Sequence, residues 1–456
     1  MESTINPRIR WEKCITALYF ITISLLVLLL SVSTSSATIW AEPPRPNVIF
    51  ILADDLGIGN VGCYGSDHFK TPHVDALAAS GIRFTRAFTV PLCGPSRALI
   101  MSGRYAFRTG ATNQDACRVL PTKELRLARV FKSAGYATSA IGKWGQLPGS
   151  PSDVGFDDYL RFKGSGVYWN DNPDKIIQYS INGADRKLGK DEYMPDVMHE
   201  HAERFIRQHQ KKPFFLYYSL SHVHGIIQPT PDSIPGSTDL FADNIAYMDK
   251  LVGKLMSVLE STNLRDKTLI VFMGDNGTAI GPNPRSTIGG RNVSGWKGSM
   301  QEGGGLVPLI ASWPGTTPTG IVSNHLIDSS DFLPTFASLT GTRLSTEITL
   351  DGHSFASELT GIPGESRRWI FNQLARMWYV RNENYKLNQK GELFDMKDAP
   401  FSEVLIDQGS ESHEAVDARR ELENVLATLN PEGGILDQGD GTGRHANRGK
   451  ANADKE

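Results

Sequence analysis

At 456 residues, with 40% hydrophobic and 21% charged side chains, the chain has an ordinary globular composition that excludes a wholly disordered protein. Its 44 glycines and 25 prolines show no collagen-like period, and four cysteines are too few for a disulfide scaffold. A net charge of −3, with no basic block in the body of the chain, argues against a nucleic-acid partner.

Arg8, Arg10 and Lys13 precede an uncharged run from Ile15 to Val32, followed by small residues with cleavage sites after Ala37 or Ala41. This predicts a signal peptide or signal anchor over residues 1–41. Either way the remainder is expected to be exported, to a periplasmic, secreted or other extracytoplasmic location, with a membrane partner only if the leader stays attached. Cleavage removes Cys14 and leaves Cys63, Cys93 and Cys117, an odd number that implies a free or modified thiol.

Short apolar runs then end in polar residues. VIFIL (48–52) runs into Asp54-Asp55, FFLYYSL (214–220) into Ser221-His222-Val223-His224, and LIVFM (269–273) into Gly274-Asp275-Asn276-Gly277. Continuous runs of this length predict strands buried on both faces of a parallel sheet. Between them Ile245, Met248, Leu251, Val252, Leu255 and Leu259 form a helical stripe, and Leu127 to Ala134 reads as a helix stopped by Gly135. The alternation predicts an α/β fold, a large, mostly parallel sheet sandwiched by helices, whose site lies beyond the carboxyl ends of the strands. Beyond Ser366 the runs WIFNQ, WYVR, YKLN and ELFD predict a small antiparallel sheet, closed by a helix over 416–429. The expected division is a catalytic domain over 42–365, a subdomain over 366–432 and a disordered, polar tail over 433–456.

The segment Pro91-Leu92-Cys93-Gly94-Pro95-Ser96-Arg97 places a cysteine just before a helix expected to start near Pro95. A helix N-terminus favours an anion, and Arg97 adds a fork suited to tetrahedral anions. Read by itself, Cys93 fits a buried structural thiol equally well. The adjacent carboxylates Asp54 and Asp55 and the Asp275-Asn276-Gly277 segment fit turns, although two neighbouring carboxylates repel unless a cation or strong donors separate them.

Cys93, Pro95 and Arg97, followed by Gly103-Arg104, match the C-x-P-x-R signature, and the chain here closely resembles the formylglycine-dependent sulfatases of the alkaline phosphatase superfamily. The resemblance covers roughly 46 to 400. It includes Pro46-Asn47-Val48-Ile49, Asp54-Asp55, Thr71-Pro72-His73-Val74-Asp75, Gly142-Lys143-Trp144, Asp275-Asn276-Gly277, Lys297-Gly298 and Glu302-Gly303-Gly304. It implies an arylsulfatase-like sulfuric ester hydrolase in which a formylglycine-generating enzyme oxidises Cys93. One hydroxyl of the hydrated aldehyde would attack sulfur, and the second would expel sulfate. It also implies a calcium ion held by Asp54, Asp55, Asp275 and Asn276 together with residue 93. Arg97 would orient the diol, and Lys143, His224 and Lys297 would contact the sulfate and the leaving group. His224 is preferred to His222, which reads more readily as a surface histidine without a role.

One departure stands out. The family commonly reads G-K-W-H, and here Gly145 follows Trp144. A glycine cannot assist breakdown of the sulfo-enzyme, so that step is expected to be slow unless another group compensates. Gln146 could orient a water, and His222 is the first histidine to test as a base. Within the superfamily the alternative activity is a phosphonate monoester or phosphodiester hydrolase. Outside catalysis it is an impaired relative that binds sulfated glycans, and outside the family a cysteine hydrolase using Cys93 as thiolate. Export makes a sulfated polysaccharide the expected substrate class. Asn292-Val293-Ser294 is a glycosylation sequon, and the loops at 163–172 and 226–239 with the small C-terminal sheet are expected to set specificity.

Overall fold

The run at 48–52 becomes strand β1 (Asn47–Ala53), buried at every residue. Its side chains alternate between two clusters. Ile49 and Ile51 join Leu216, Tyr218 and Ile270 on one face, whereas Val48, Phe50 and Leu52 join Phe215, Tyr217 and Leu269 on the other. A strand covered on both faces has no polar side, which is why it reads as unbroken apolar sequence. The computed structural model describes residues 45–170 and 177–445. The leader at 1–41 therefore lies outside the described residues, as do 446–456 of the tail. Among the described residues no helix is long and apolar enough to cross a membrane.

In chain order the main sheet continues with β2 (Ile82–Phe88), β3 (Ala137–Lys143), β4 (Asp158–Phe162), β5 (Gln178–Ile181), β6 (Ala184–Lys187), β7 (Phe214–Ser219) and β8 (Thr268–Gly274). A separate hairpin of β9 (Thr287–Ile288) and β10 (Arg291–Asn292) exposes the sequon residue Asn292, and β11 (Leu306–Ser312) and β12 (Ile321–Asp328) complete the main sheet. The order across its ten strands is β12-β2-β11-β8-β1-β7-β3-β4-β5-β6. The central strands β8, β1, β7, β3 and β4 are mutually parallel. Strand β11 runs antiparallel to both β8 and β2, and β5 and β6 form an antiparallel edge.

Helices cover both faces. On one, α1 (Pro72–Ala79), α4 (Met194–Gln208) and α5 (Leu240–Ser261) bury Val74, Met198, Phe205, Met248 and Leu255 against the sheet. On the other, α2 (Cys93–Ser102), α3 (Leu127–Ser133) and α6 (Phe332–Thr340) contribute Ile100, Phe131, Phe332 and Phe336. Helix α5 begins where the Asp239 carboxylate accepts the Ala242 N–H at 3.1 Å, an N-cap that satisfies one of the free donors of the first turn. Helix α2 starts at Cys93, two residues before the position expected from Pro95. Pro95 is tolerated because an amide in the first turn has no intrahelical acceptor to lose.

The second sheet is an antiparallel meander of β13 (Ile370–Leu374), β14 (Met377–Arg381), β15 (Tyr385–Asn388), β16 (Leu393–Asp395) and β17 (Val404–Ile406). Helix α7 (His413–Leu429), capped by Ser412, packs Ala415, Ala418 and Leu422 against Val380, Leu387 and Leu393. Phe371, Leu374 and Trp378 join Leu92, Leu99 and Tyr105, so this sheet braces the helix that begins at Cys93.

The polar tail departs from expectation between 433 and 445. The Ile435 N–H donates to Phe107 O at 2.7 Å, and Asp437, only 1% exposed, accepts from Thr112 Oγ1 at 2.7 Å and Asn113 Nδ2 at 2.6 Å. A polar segment with little to bury is here held by hydrogen bonds, which composition does not register.

Candidate active site

The site lies at the carboxyl ends of β1, β3, β7 and β8. Asp54 and Asp55 follow β1, Asp275 and Asn276 follow β8, Lys143 is the last residue of β3, and His224 lies in the turn after β7. Arg97 reaches in from the start of the second turn of α2, and Lys297 comes from the loop before β11. Gly142 makes one approach feasible. At φ +100° it lies so close to β7 that a Cβ would sit 2.0 Å from Ser219 O.

These residues form a buried ionic cluster. Lys143 Nζ donates to both Asp54 oxygens at 2.8 and 2.6 Å. Lys297 Nζ lies 2.6 and 2.8 Å from the two Asp55 oxygens. Arg97 donates to Asp275 Oδ2 through Nε at 3.0 Å and Nη2 at 2.8 Å, and through Nη1 to Lys143 O, Tyr217 and Ser219. Neither lysine is the solvated residue its sequence alone would suggest, because each is paired and buried. Asn276 Nδ2 donates to Asp55 Oδ1 at 2.9 Å, whereas Asn276 Oδ1 is buried without a partner. His224 Nε2 lies 3.8 Å from Asp55 Oδ2, with its side chain 22% exposed.

The electrostatics are uneven. Burial alone would raise the Asp54 pKa, but Lys143, His224, Arg97 and Lys297 outweigh it and hold the carboxyl well below the usual range. Asp275 is pushed upward by burial and by the Asp54 charge, against Arg97 and Lys143. Burial also raises the Cys93 thiol more than Lys143 and Lys297 lower it. A thiol held protonated is a poor nucleophile, which counts against a thiolate hydrolase.

Among the described residues, Asp54, Asp55 and His224 bring ligand atoms within 4.8 Å of one another and can hold a metal ion. The wider set fits a hard cation. It offers three carboxylates and a carboxamide oxygen, Asn276 Oδ1, that is desolvated and otherwise unsatisfied. An ionised carboxylate has about four acceptor positions, so the lysine contacts do not exhaust Asp54 or Asp55.

His222 is corrected by the structure. It is fully buried, its Nε2 is hydrogen-bonded to Tyr193 OH at 2.9 Å, and burial lowers its pKa to about 3. It is neither a surface histidine nor a partner of Cys93. The strand alternation that would put it on the same face as His224 ends with β7 at Ser219, and the following turn separates the two rings. Two carboxamides lie beside Cys93, that of Gln114, which sequence reasoning passed over, and that of Gln146, which it named as able to orient a water. The carboxamide of Gln114, 21 positions on, carries no signal in the sequence, and Gln146 was marked only by its place after Gly145. Cys63 and Cys117 form no disulfide, and burial, with Asp75 adding, pushes the Cys63 thiol up to about 12.

Residues 46–342 match the family model described as Sulfatase. Human arylsulfatase A is 32% identical over 379 residues, covering 75% of this chain and 74% of that protein. The N-acetylgalactosamine-6-O-sulfatase of Bacteroides thetaiotaomicron is 28% identical over 406 residues, covering 72% and 79%. The solved structure of Ps i-CgsB in complex with k-i-k-neocarrahexaose superposes with a TM-score of 0.73 at 28% identity, covering 84% of this chain and 92% of that one. With the family model spanning well over half its length and its acidic, basic and cysteine residues gathered at the strand ends, the chain belongs to the sulfatase family and is a hydrolase of sulfate esters.

Proposed function

We propose that this sulfatase is exported, that its Cys93 is converted to formylglycine by a maturation enzyme, and that it works with a calcium ion on sulfated carbohydrates. The observation that carries the reading is the unpartnered Asn276 Oδ1 beside three buried aspartates, next to a cysteine at the first turn of α2. The N-terminal run at 15–32 supports export, and the limits 42–365 and 366–432 remain our division into catalytic domain and subdomain. The carbohydrate class is supported by the N-acetylgalactosamine-6-O-sulfatase and the neocarrahexaose-bound relative.

Asp54, Asp55, Asp275 and Asn276, with residue 93, would hold the ion, which supplies charge neutralisation as the alcohol departs. The hydrated aldehyde at 93 supplies one hydroxyl to attack sulfur and another to expel sulfate. Arg97 fixes Asp275 and the end of β3 through its five N–H donors. Lys143 and Lys297, desolvated beside Asp54 and Asp55, bind sulfate oxygens more strongly than exposed lysines would. His224, 3.8 Å from Asp55 and partly exposed, would contact the leaving group and give it a proton.

The test joins chemistry to specificity. The peptide containing residue 93 should carry an aldehyde that reacts with hydrazides, and an aryl sulfate should turn over faster than an aryl phosphate diester. An active enzyme with only an alkylatable thiol at 93 would refute the mechanism, and preference for the diester would move the chain to the phosphodiesterase reading.

A further inference from the structure

Among the described residues, the side-chain hydrogen bonds of Cys93 Sγ go to two carboxamides. Gln114 Nε2 lies 3.6 Å away as a donor and Gln146 Oε1 lies 3.8 Å away as an acceptor. They come from different parts of the chain. Gln114 opens the short helix Gln114–Cys117, and Gln146 follows the turn after β3.

Each is held in place. Gly145, at φ +71°, brings the turn against the cations. A Cβ there would sit 3.3 Å from Arg97 Cδ and 3.8 Å from Lys143 Cε. Gly94 leaves room on the other side, because a Cβ on it would lie 3.3 Å from Gln146 Oε1. Gln114 is anchored from behind by the tail. Its N–H donates to Gly443 O at 2.9 Å, and the preceding Thr112 and Asn113 are tied to the buried Asp437.

We infer that Gln114 and Gln146 form a carboxamide clasp on the nucleophile at residue 93, Gln146 accepting from one hydroxyl of the hydrated aldehyde and Gln114 donating to the other oxygen. This rests on the reading of Cys93 as an aldehyde precursor. In the first step the attacking hydroxyl oxygen bonds to sulfur. The bond from sulfur to the alcohol oxygen breaks with its electron pair on that oxygen, and the hydroxyl proton ends there. In the second step the remaining hydroxyl gives its proton to solvent water and its O–H pair becomes the new C=O bond. The bond from that carbon to the sulfate oxygen breaks, leaving its pair on sulfate. A carboxamide oxygen orients the O–H but cannot retain the proton, so water is the acceptor and the clasp sets the geometry.

The test compares Gln114→Leu, Gln146→Leu and Gln146→Glu with the parent at equal aldehyde content, measured by mass on the residue-93 peptide. A lost hydrogen bond to the reacting group should lower kcat about 10- to 100-fold, with KM changed less than about threefold. Sulfate should then accumulate on the residue-93 peptide during turnover. Without substrate, both leucine variants should react faster with a hydrazide, because the clasp no longer favours the hydrate over the free aldehyde. Gln146→Glu, of the same size, should keep the acceptor and add a limb to the kcat profile that rises as its carboxyl ionises. It carries the comparison if a leucine variant folds poorly. Parental kcat, pH profile and labelling rate in all three variants would overturn the clasp alone. An active parent without aldehyde would overturn both the clasp and the mechanism on which it rests.

Discussion

Two of the buried ionic clusters among the described residues contrast, and only one is built to react. The first surrounds Asp54, Asp55 and Asp275. The second lies where the main sheet meets the small one, and gathers Asp328, Asp331, Asp351, Arg367, Arg108 and Tyr105. In the second, Arg367 donates to Asp331, Tyr105 OH, Trp369 O and Asp351 O, and Asp331 also accepts from the Asp328 and His353 amides. Asp328 accepts from Tyr105 OH and Ser330, and Asp351 from the Tyr105 N–H and Arg108. Both clusters contain an aspartate that burial pushes upward, Asp275 in the first and Asp331, to about 6, in the second. A perturbed carboxyl therefore does not distinguish them. What does is the unpartnered acceptor at Asn276 and the adjoining cysteine.

The largest expected contrast comes from removing one member of each cluster. Cys93→Ala should lower kcat/KM by at least about 10³-fold while the melting temperature stays near that of the parent. Arg367→Met should do the reverse. It strands Asp331 and should cost about 3–5 kcal/mol in denaturant titration, with the folded fraction retaining parental kcat. Equal effects of both substitutions on stability would erase the distinction.

Chelation probes the difference next. If the first cluster holds calcium, an ion present at about a hundredfold over its Kd stabilises the fold by about 2.7 kcal/mol. Exhaustive chelation should lower both the melting temperature and activity, and calcium should restore both. Asp275→Ala should abolish the thermal response, whereas Asp351→Asn should preserve it.

A smaller effect separates the two neighbouring histidines. His222 has a folded pKa of about 3 against an ordinary 6.5, so the unfolded chain binds the extra proton between those values. Its contribution is intact above about 6.5 and is lost as pH falls toward 3, at up to about 1.4 kcal/mol per pH unit. His222→Gln should flatten the acid side of the stability profile, and an unchanged slope would contradict its burial as a neutral ring.

The smallest expected change lies in the tail. Asp437→Ala removes the acceptor shared by Thr112 and Asn113, and should cost about 1–2 kcal/mol in thermal or denaturant unfolding. It should also lower kcat modestly through Gln114. Parental stability would show that the segment after 433 does not brace the site.

Much of this protein was legible before folding was considered. The runs at 48–52, 214–220 and 269–273 became β1, β7 and β8 because strands buried on both faces have one chemical character throughout. The residues after them converge because parallel neighbours end on one edge of the sheet. The α5 stripe is equally local. Strands β2 and β12 were not anticipated. β2 mixes buried with half-buried positions and β12 mixes buried with exposed ones, so neither shows a clean period. Order across the sheet also escapes the sequence, since β1 pairs with strands more than 150 residues away.

The sequence by itself determined the fold class, the family and the set of polar residues at the strand ends, because these follow from periodicity and short-range motifs. Only the tertiary structure decided that Lys143 and Lys297 are buried ion-pair partners and that His222 and His224 part company. It also decided that Gln114 reaches Cys93 with the tail behind it. Desolvation and hydrogen bonding at those positions depend on which distant segments pack against them, and neither periodicity nor a short motif carries that information.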